Sequence, residues 1–390
     1  MPEQTLARPI PDHFIPFAPP MIGEEEKAEI LDTLDSGWIT TGPKTEAFEQ
    51  AVCAYLGGGY AVAVKSCTAA LHLSLVAAGI EEGDEVIMSP YTFASTGHVA
   101  CYLGAVPVFV DIDPETYNID PAQIEAALTE RTRAIMPVHY GGHPCDMEAI
   151  QAIAAERGLI VVEDAAHAIG AEYRDAKVGA LGNLACFSFY ATKNMTTGEG
   201  GMVVTQDQEL AQRIRVLSMY GISDARRIWK RYAPKGTWVY DIAELGYKCN
   251  MMDIQAALGL PQLRKLDGFI ERRAHFAAIY DEVLDQVLGL QKPTVYDDVK
   301  SAWHLYPVLV PESCDRDALI EELKEYNIGT SVLFQPLHLH SFYEGLLGEQ
   351  EGRFPIAESV YRRVVCLPIS PKASDEDIHY VAATLRDLVG

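Results

Sequence analysis

Short apolar runs alternate with amphipathic stretches from residue 60 to residue 205. The runs at 60–64, 85–88, 106–110, 134–138, 159–162, 185–189 and 202–205 are apolar almost throughout, as strands buried on both faces are. Helical patterns such as 69–78, 120–127 and 146–157 separate most of them. The alternation predicts an α/β fold with a mostly parallel seven-stranded sheet sandwiched by helices. Ahead of it, Gly23-Glu24-Glu25-Glu26 opens a helix with acids in its first turn, which ends near Ser36-Gly37. The loop Trp38-Ile39-Thr40-Thr41-Gly42-Pro43 leads to a second helix over 45–56. Prolines 9, 11, 16, 19 and 20 make the first twenty or so residues an extended arm. Around Asn250 the pattern changes to a long helix over 253–284, with a kink expected at Pro261. Strand 305–310, helix 316–326, strands 328–333 and 364–367, and helix 375–388 follow. The expected organisation is an arm (1–22), a large domain (23–250) and a smaller C-terminal α+β domain (251–390).

Composition narrows the class. No run approaches the ~18 apolar residues of a membrane span. The N-terminus lacks a basic-then-apolar signal, and eight scattered cysteines suit reduced thiols, so a cytoplasmic protein is expected. A formal net charge of −24 argues against a nucleic-acid binder. One basic island, Arg226, Arg227, Lys230, Arg231 and Lys235, departs from this trend and suits a diphosphate or an acidic partner, or is a solvated loop.

Candidate chemistry centres on Lys193, which follows the apolar strand 185–189 and precedes a glycine-rich turn, Gly198-Glu199-Gly200-Gly201. A lysine of ordinary pKa ~10.4 is neutral in only about one molecule in 2,500 at pH 7, and only the neutral amine attacks a carbonyl. Burial shifts that balance; the alternative is a lysine snorkelling from a strand end. Ser66-Cys67-Thr68-Ala69 joins a strand to a helix, as an anion cradle or a plain helix cap. Glu163-Asp164 ends strand 159–162 at the edge where α/β sheets bind ligands, and His167 follows, as site or core histidine. Phe93, after strand 85–88, reaches the same edge, for stacking or for core. Together these are the parts of a pyridoxal-phosphate site, which needs a lysine, a carboxylate for the ring nitrogen and a phosphate anchor. No GxGxxG follows the first strand, so a dinucleotide reading lacks its motif. The pairs His139/His143 and His338/His340 lack the partners of a closed zinc site, so no metal is expected.

With these motifs in this order, the chain resembles the DegT/DnrJ/EryC1/StrS family of sugar aminotransferases over nearly its whole length. The resemblance implies the type I aminotransferase fold, with pyridoxal phosphate bound through Lys193 and Asp164 on the ring nitrogen. His167 is then expected near the phenolic oxygen and Phe93 on the ring face. Ser188, Cys67 and Thr68 are expected at the phosphate. Asn250 matches a residue reaching a neighbour's phosphate, which implies a homodimer with shared active sites. Family dehydratases carry His where this chain has Lys193, and a non-catalytic regulator is disfavoured by the acidic charge and the lack of a helix-turn-helix.

Thr196-Thr197-Gly198-Glu199 resembles members that aminate C4 of a nucleotide-linked 4-keto sugar, with L-glutamate as donor and 2-oxoglutarate as product. Members acting at C3 carry Asp at the Glu199 position. The run 139–143 resembles enzymes of 4-amino-4-deoxy-arabinose, whereas 335–343 resembles those of 4-amino-6-deoxyhexoses. Pentose or hexose therefore stays open, and the basic island is expected near the nucleotide diphosphate.

Overall fold

A computed structural model of the chain describes residues 9–223 and 240–390. The basic island over 226–235 lies outside the described residues. The central sheet contains seven strands. They are β1 (Tyr60–Val64), β2 (Glu85–Met88), β3 (Val106–Phe109), β4 (Thr132–Met136), β5 (Ile160–Asp164), β8 (Leu184–Ser188) and β9 (Gly201–Thr205), in the order β1-β9-β8-β5-β4-β2-β3. Between β5 and β8, the short strands β6 (Glu172–Tyr173) and β7 (Ala176–Lys177) form a hairpin that also pairs with β10 (Val299–Lys300). Five of the seven central strands pair parallel to a neighbour, and β9 runs antiparallel to both β8 and β1.

The continuous apolar runs have their expected cause. Val62, Val64, Cys186 and Val203 enter the core on one face, while Ala61, Ala63, Phe187 and Val204 enter that on the other. Helices α1 (Glu24–Asp35), α2 (Pro43–Leu56), α3 (Cys67–Ala77), α4 (Ala94–Cys101), α5 (Pro121–Ala127), α6 (Met147–Arg157) and α7 (Gln208–Leu217) precede the long helix Asp253–Leu284. That helix runs as one 32-residue element through Pro261.

Antiparallel β9 has a consequence for the site. The chain leaves β8 at the edge where β1 and β5 also end, and it re-enters the sheet through β9 at that same edge. The intervening turn, 189–200, therefore lies across the carboxyl end of the sheet, and it carries Lys193.

The C-terminal part builds a two-stranded sheet from β11 (Tyr306–Leu309) and β12 (Val364–Leu367), with its own apolar cluster around Phe276, Tyr306, Val365 and Leu385. The expected strand over 328–333 is absent. Its residues make single bridges to two different partners, Ile328 with Ile15 and Ser331 with Cys366, and neither contact extends into a ladder. The expected strand over 134–138 lies two residues earlier, because Pro137 has no amide to continue the ladder.

One of the links between the two halves is a buried carboxylate. Asp253, at the start of the long helix, accepts from the amides of Gly42 (2.7 Å), Thr45 (2.9 Å) and Lys44 (3.1 Å), and from the Thr45 hydroxyl at 2.6 Å. It thereby caps α2 from a distant part of the chain. Replacing Asp253 by Ala should cost about 3 kcal/mol of unfolding free energy, as expected for stripping a buried charged acceptor from its donors. Urea denaturation of the cofactor-free protein checks this, with Asp253→Asn falling between the two.

Candidate active site

A cavity of about 470 Å³ opens at the carboxyl edge of the sheet. The ends of β1, β5 and β8 and the turn after β2 bring Ser66, Cys67, Thr68, Phe93, Asp164, His167, Ser188 and Lys193 into its lining. Seven of the eight expected site residues, all but Asn250, thus converge from four separate stretches of chain.

Lys193 faces the cavity, and its ammonium forms no hydrogen bond or ion pair with a described residue. Burial brings its pKa down to about 8, with Asp164 and Cys67 pulling weakly the other way. Asp164 is buried at the end of β5. It accepts from the Thr96 hydroxyl at 2.7 Å and from the Ala166 amide at 3.2 Å. Burial lifts its carboxyl above the usual aspartate range, while Thr96, Ala166 and Lys193 pull it down.

His167 accepts at Nδ1 from the Gly141 amide at 3.3 Å. Its remaining proton is therefore on Nε2, available as a donor. Burial, and then Lys193, hold its pKa well below the usual histidine range, so it is neutral. Phe334 stacks on it, with ring centroids 5.8 Å apart.

Ser66 caps α3 by accepting from the Ala69 amide at 3.1 Å. The next two amides, of Cys67 and Thr68, begin the helix and have no partner within it. Small side chains keep this corner open. A Cβ on Gly201 would fall 2.4–2.6 Å from the Ser66 and Cys67 backbone, so β9 can pass beside the helix start only as glycine. The Cys67 thiol donates to the Cys186 carbonyl at 3.3 Å. Phe93 is largely exposed, with its ring 6.0 Å from that of Phe334.

Asn250 stays outside the lining. It donates to the Thr41 hydroxyl at 2.6 Å and accepts from Lys248. The histidine pairs are likewise engaged elsewhere. His139 meets Glu163 at 2.9 Å, His143 contacts Asn118 and the Pro144 carbonyl, and His338 meets Glu358 at 3.1 Å.

Sequence reasoning missed several lining residues, notably Phe17, His304, Leu333 and Phe334. His304 packs its ring 4.2 Å from that of His167, and its Nδ1 bonds the Asn194 carbonyl oxygen at 2.9 Å. Asn194 in turn donates to the Ala302 carbonyl at 2.7 Å, which fixes its orientation. The only sequence signal was a histidine beside a buried strand, and nothing in it pointed 110 residues back to Asn194.

The model of one protein family matches residues 20–386, nearly the entire chain. The chain belongs to the DegT/DnrJ/EryC1/StrS aminotransferase family. Among its relatives are the uncharacterized protein MJ1066 of Methanocaldococcus jannaschii, 53% identical over 97% of this chain and 99% of that one. SpsC of Bacillus subtilis, a spore coat polysaccharide biosynthesis protein, is 50% identical over 97% and 98%. Among solved structures, the PLP form of Spr1654 from Streptococcus pneumoniae has a TM-score of 0.90 at 33% identity, covering 97% of this chain and 99% of that one. PseC of Helicobacter pylori, an aminotransferase of pseudoaminic acid biosynthesis, has a TM-score of 0.89 at 29% identity, covering 96% and 99%.

The aminotransferase family works with pyridoxal phosphate, and the cavity fits that group. It offers a lysine amine without a hydrogen-bond partner among the described residues, a buried carboxylate short of a cation, and two open amides beside a serine hydroxyl. The rate at which cofactor-free protein captures pyridoxal phosphate should therefore rise with pH and level off above about 8, where Lys193 becomes neutral. Because Asp164 raises the lysine pKa, Asp164→Asn should move that midpoint to lower pH; stopped-flow absorbance reads both. Gly201→Ala should weaken cofactor binding by about tenfold or more, since the helix start must shift to admit the methyl group. Equilibrium dialysis measures that loss.

Proposed function

We propose that the chain transfers an amino group from L-glutamate to C4 of a nucleotide-linked 4-keto sugar, in the making of an amino sugar for a polysaccharide or related product. The observation that carries this reading is Lys193, an amine brought down to about pKa 8 by burial, facing the same cavity as Asp164 and Glu199. Glu199 stands where C4-aminating members of the family have it. L-Glutamate follows from the same resemblance. SpsC, a half-identical relative, is named for polysaccharide biosynthesis.

When bound, pyridoxal phosphate supplies an aldehyde to take up the amino group and a ring to draw electron density from the reacting carbon. The residues do the rest. Asp164 accepts from the ring N–H, and that added cation offsets the burial that lifts its pKa. His167 would donate Nε2–H to the phenolic oxygen, a role supported by the Gly141 amide on Nδ1. The Cys67 and Thr68 amides and the Ser188 hydroxyl hold the phosphate, and Phe93 covers one ring face. Lys193 Nζ would take the α-proton of the donor and return it, across the nitrogen, at the cofactor's aldehyde carbon; with a pKa near 8 it can do both at neutral pH. In the second half of the cycle it moves the proton the other way, onto the sugar product.

The protein is proposed to be cytoplasmic. Among the described residues, no helix is long and apolar enough to cross a membrane. It is also proposed to be a homodimer. Asn250 lies outside its own chain's cavity lining, and Tyr190, Tyr220, Ile242, Leu245 and Met252 expose apolar surface that a second copy would cover. The arm (1–22), large unit (23–250) and small unit (251–390) are the proposed organisation of each copy.

The test is spectroscopic. Adding L-glutamate to the yellow cofactor-loaded protein should replace its visible band by one in the near ultraviolet, and a 4-keto sugar nucleotide should restore it with formation of the 4-amino sugar. Lys193→Ala should abolish both changes. Turnover of a 3-keto sugar alone, or sugar conversion without consumption of glutamate, would overturn the proposal.

A further inference from the structure

The described part of the N-terminal arm is rich in proline, and bonds to distant residues hold it at several points. Ile15 donates to the Asn327 carbonyl at 2.8 Å and accepts from the Gly329 amide at 2.8 Å. Asn327 Nδ2 donates to the Pro11 carbonyl at 2.9 Å, and the Ser370 hydroxyl to that of Pro19 at 2.8 Å. Gln262 donates to the Met21 carbonyl at 2.8 Å. Ile15 is buried in the C-terminal cluster. The anchors at 15 and 19 bracket Phe17, and Phe17 lines the cavity that holds Lys193.

Phe17 joins Phe93, Leu333 and Phe334 in an apolar stretch of that lining. The C-terminal part of this wall is also fixed. The Leu333 carbonyl accepts from Tyr91 at 2.9 Å and from Tyr140 at 2.5 Å, which follow β2 and β4 of the large sheet. The groups suited to the cofactor come from the sheet edge, at 66–68, 93, 164–167 and 188–193, and none comes from the arm. An aromatic held here by remote anchors is therefore left for the substrate.

We propose that Phe17 is a substrate-contacting residue that sets specificity, and that the arm is part of the sugar-binding wall. A sugar ring presents C–H bonds on its faces and hydroxyls around its rim, so an aromatic side chain suits a face. L-Glutamate, with a carboxylate at each end, offers no such face. Phe17 therefore acts on the sugar half of the cycle and leaves the glutamate half alone. This rests on the keto-sugar reading above.

The experiment compares wild type with Phe17→Ala and Phe17→Leu as full chains loaded with cofactor. KM for the keto sugar nucleotide should rise about ten- to a hundredfold in Phe17→Ala, the scale expected when a pocket gives up one apolar side chain. The glutamate half-reaction, read by absorbance, and cofactor affinity, read by dialysis, should stay within about twofold of wild type. Phe17→Leu, which keeps an apolar surface against the sugar, should recover most of the affinity. An unchanged KM for the sugar in Phe17→Ala, with wild type active, overturns the proposal and leaves the keto-sugar reading standing. A parallel fall in sugar turnover, glutamate half-reaction and cofactor affinity also overturns it, because the arm is then only scaffold. A wild type that converts no keto sugar removes the reading itself, and this inference with it.

Discussion

Placing an amine and a carboxylate in one shielded cavity is the constraint around which this fold is arranged. Lowering the Lys193 pKa from 10.5 to about 8 corresponds to a penalty on its charged form on the order of 3 kcal/mol. Asp164 bears a penalty of the same kind, eased by the Thr96 hydroxyl and the Ala166 amide and, from farther off, by Lys193 and His139. Asp164 is buried and Lys193 half-buried, so neither is fully hydrated. The sheet holds them there, Asp164 as the last residue of β5 and Lys193 on a turn closed at both ends by ladder pairing. The reversed strand β9 is what makes the arrangement possible, because a parallel strand would have carried the chain to the opposite edge.

Much of this was legible in the sequence, for identifiable reasons. Strands buried on both faces print themselves as unbroken apolar runs, so the seven central strands stood out, with their ends misplaced by a residue or two. Lys193, Asp164, Ser188 and the 66–68 turn were legible because each adjoins such a run, and strand ends map onto one edge of the sheet. His304, Phe17 and Phe334 were not. They reach the cavity through the C-terminal part and the arm, whose positions depend on bonds such as Ile15 to Asn327 and Leu333 to Tyr140. Local sequence has no record of a partner hundreds of residues away. The same reason defeated the expected strand over 328–333, whose bonds are shared between the arm and β12.

The neutral histidine pair shows how buried polar groups acquire a single state. His167 and His304 sit ring on ring, and each has one nitrogen committed, His167 to a backbone amide and His304 to an oriented asparagine. With both rings uncharged, Lys193 is the group in this corner that exchanges its proton near neutral pH. Two imidazoles beside a lysine would otherwise spread that proton over three sites.

The arm also has a bearing on the order of events during synthesis. Residues 11–21 leave the ribosome well before the atoms that hold them, at 262, 327–329 and 370. The nascent chain can form its sheet, and with it the lysine and the phosphate corner, while the arm is still untethered. One wall of the cavity is then missing until residues 327–370 are made. Cofactor capture and sugar recognition therefore mature at different moments in the life of each molecule, the second only when both ends of the chain have met.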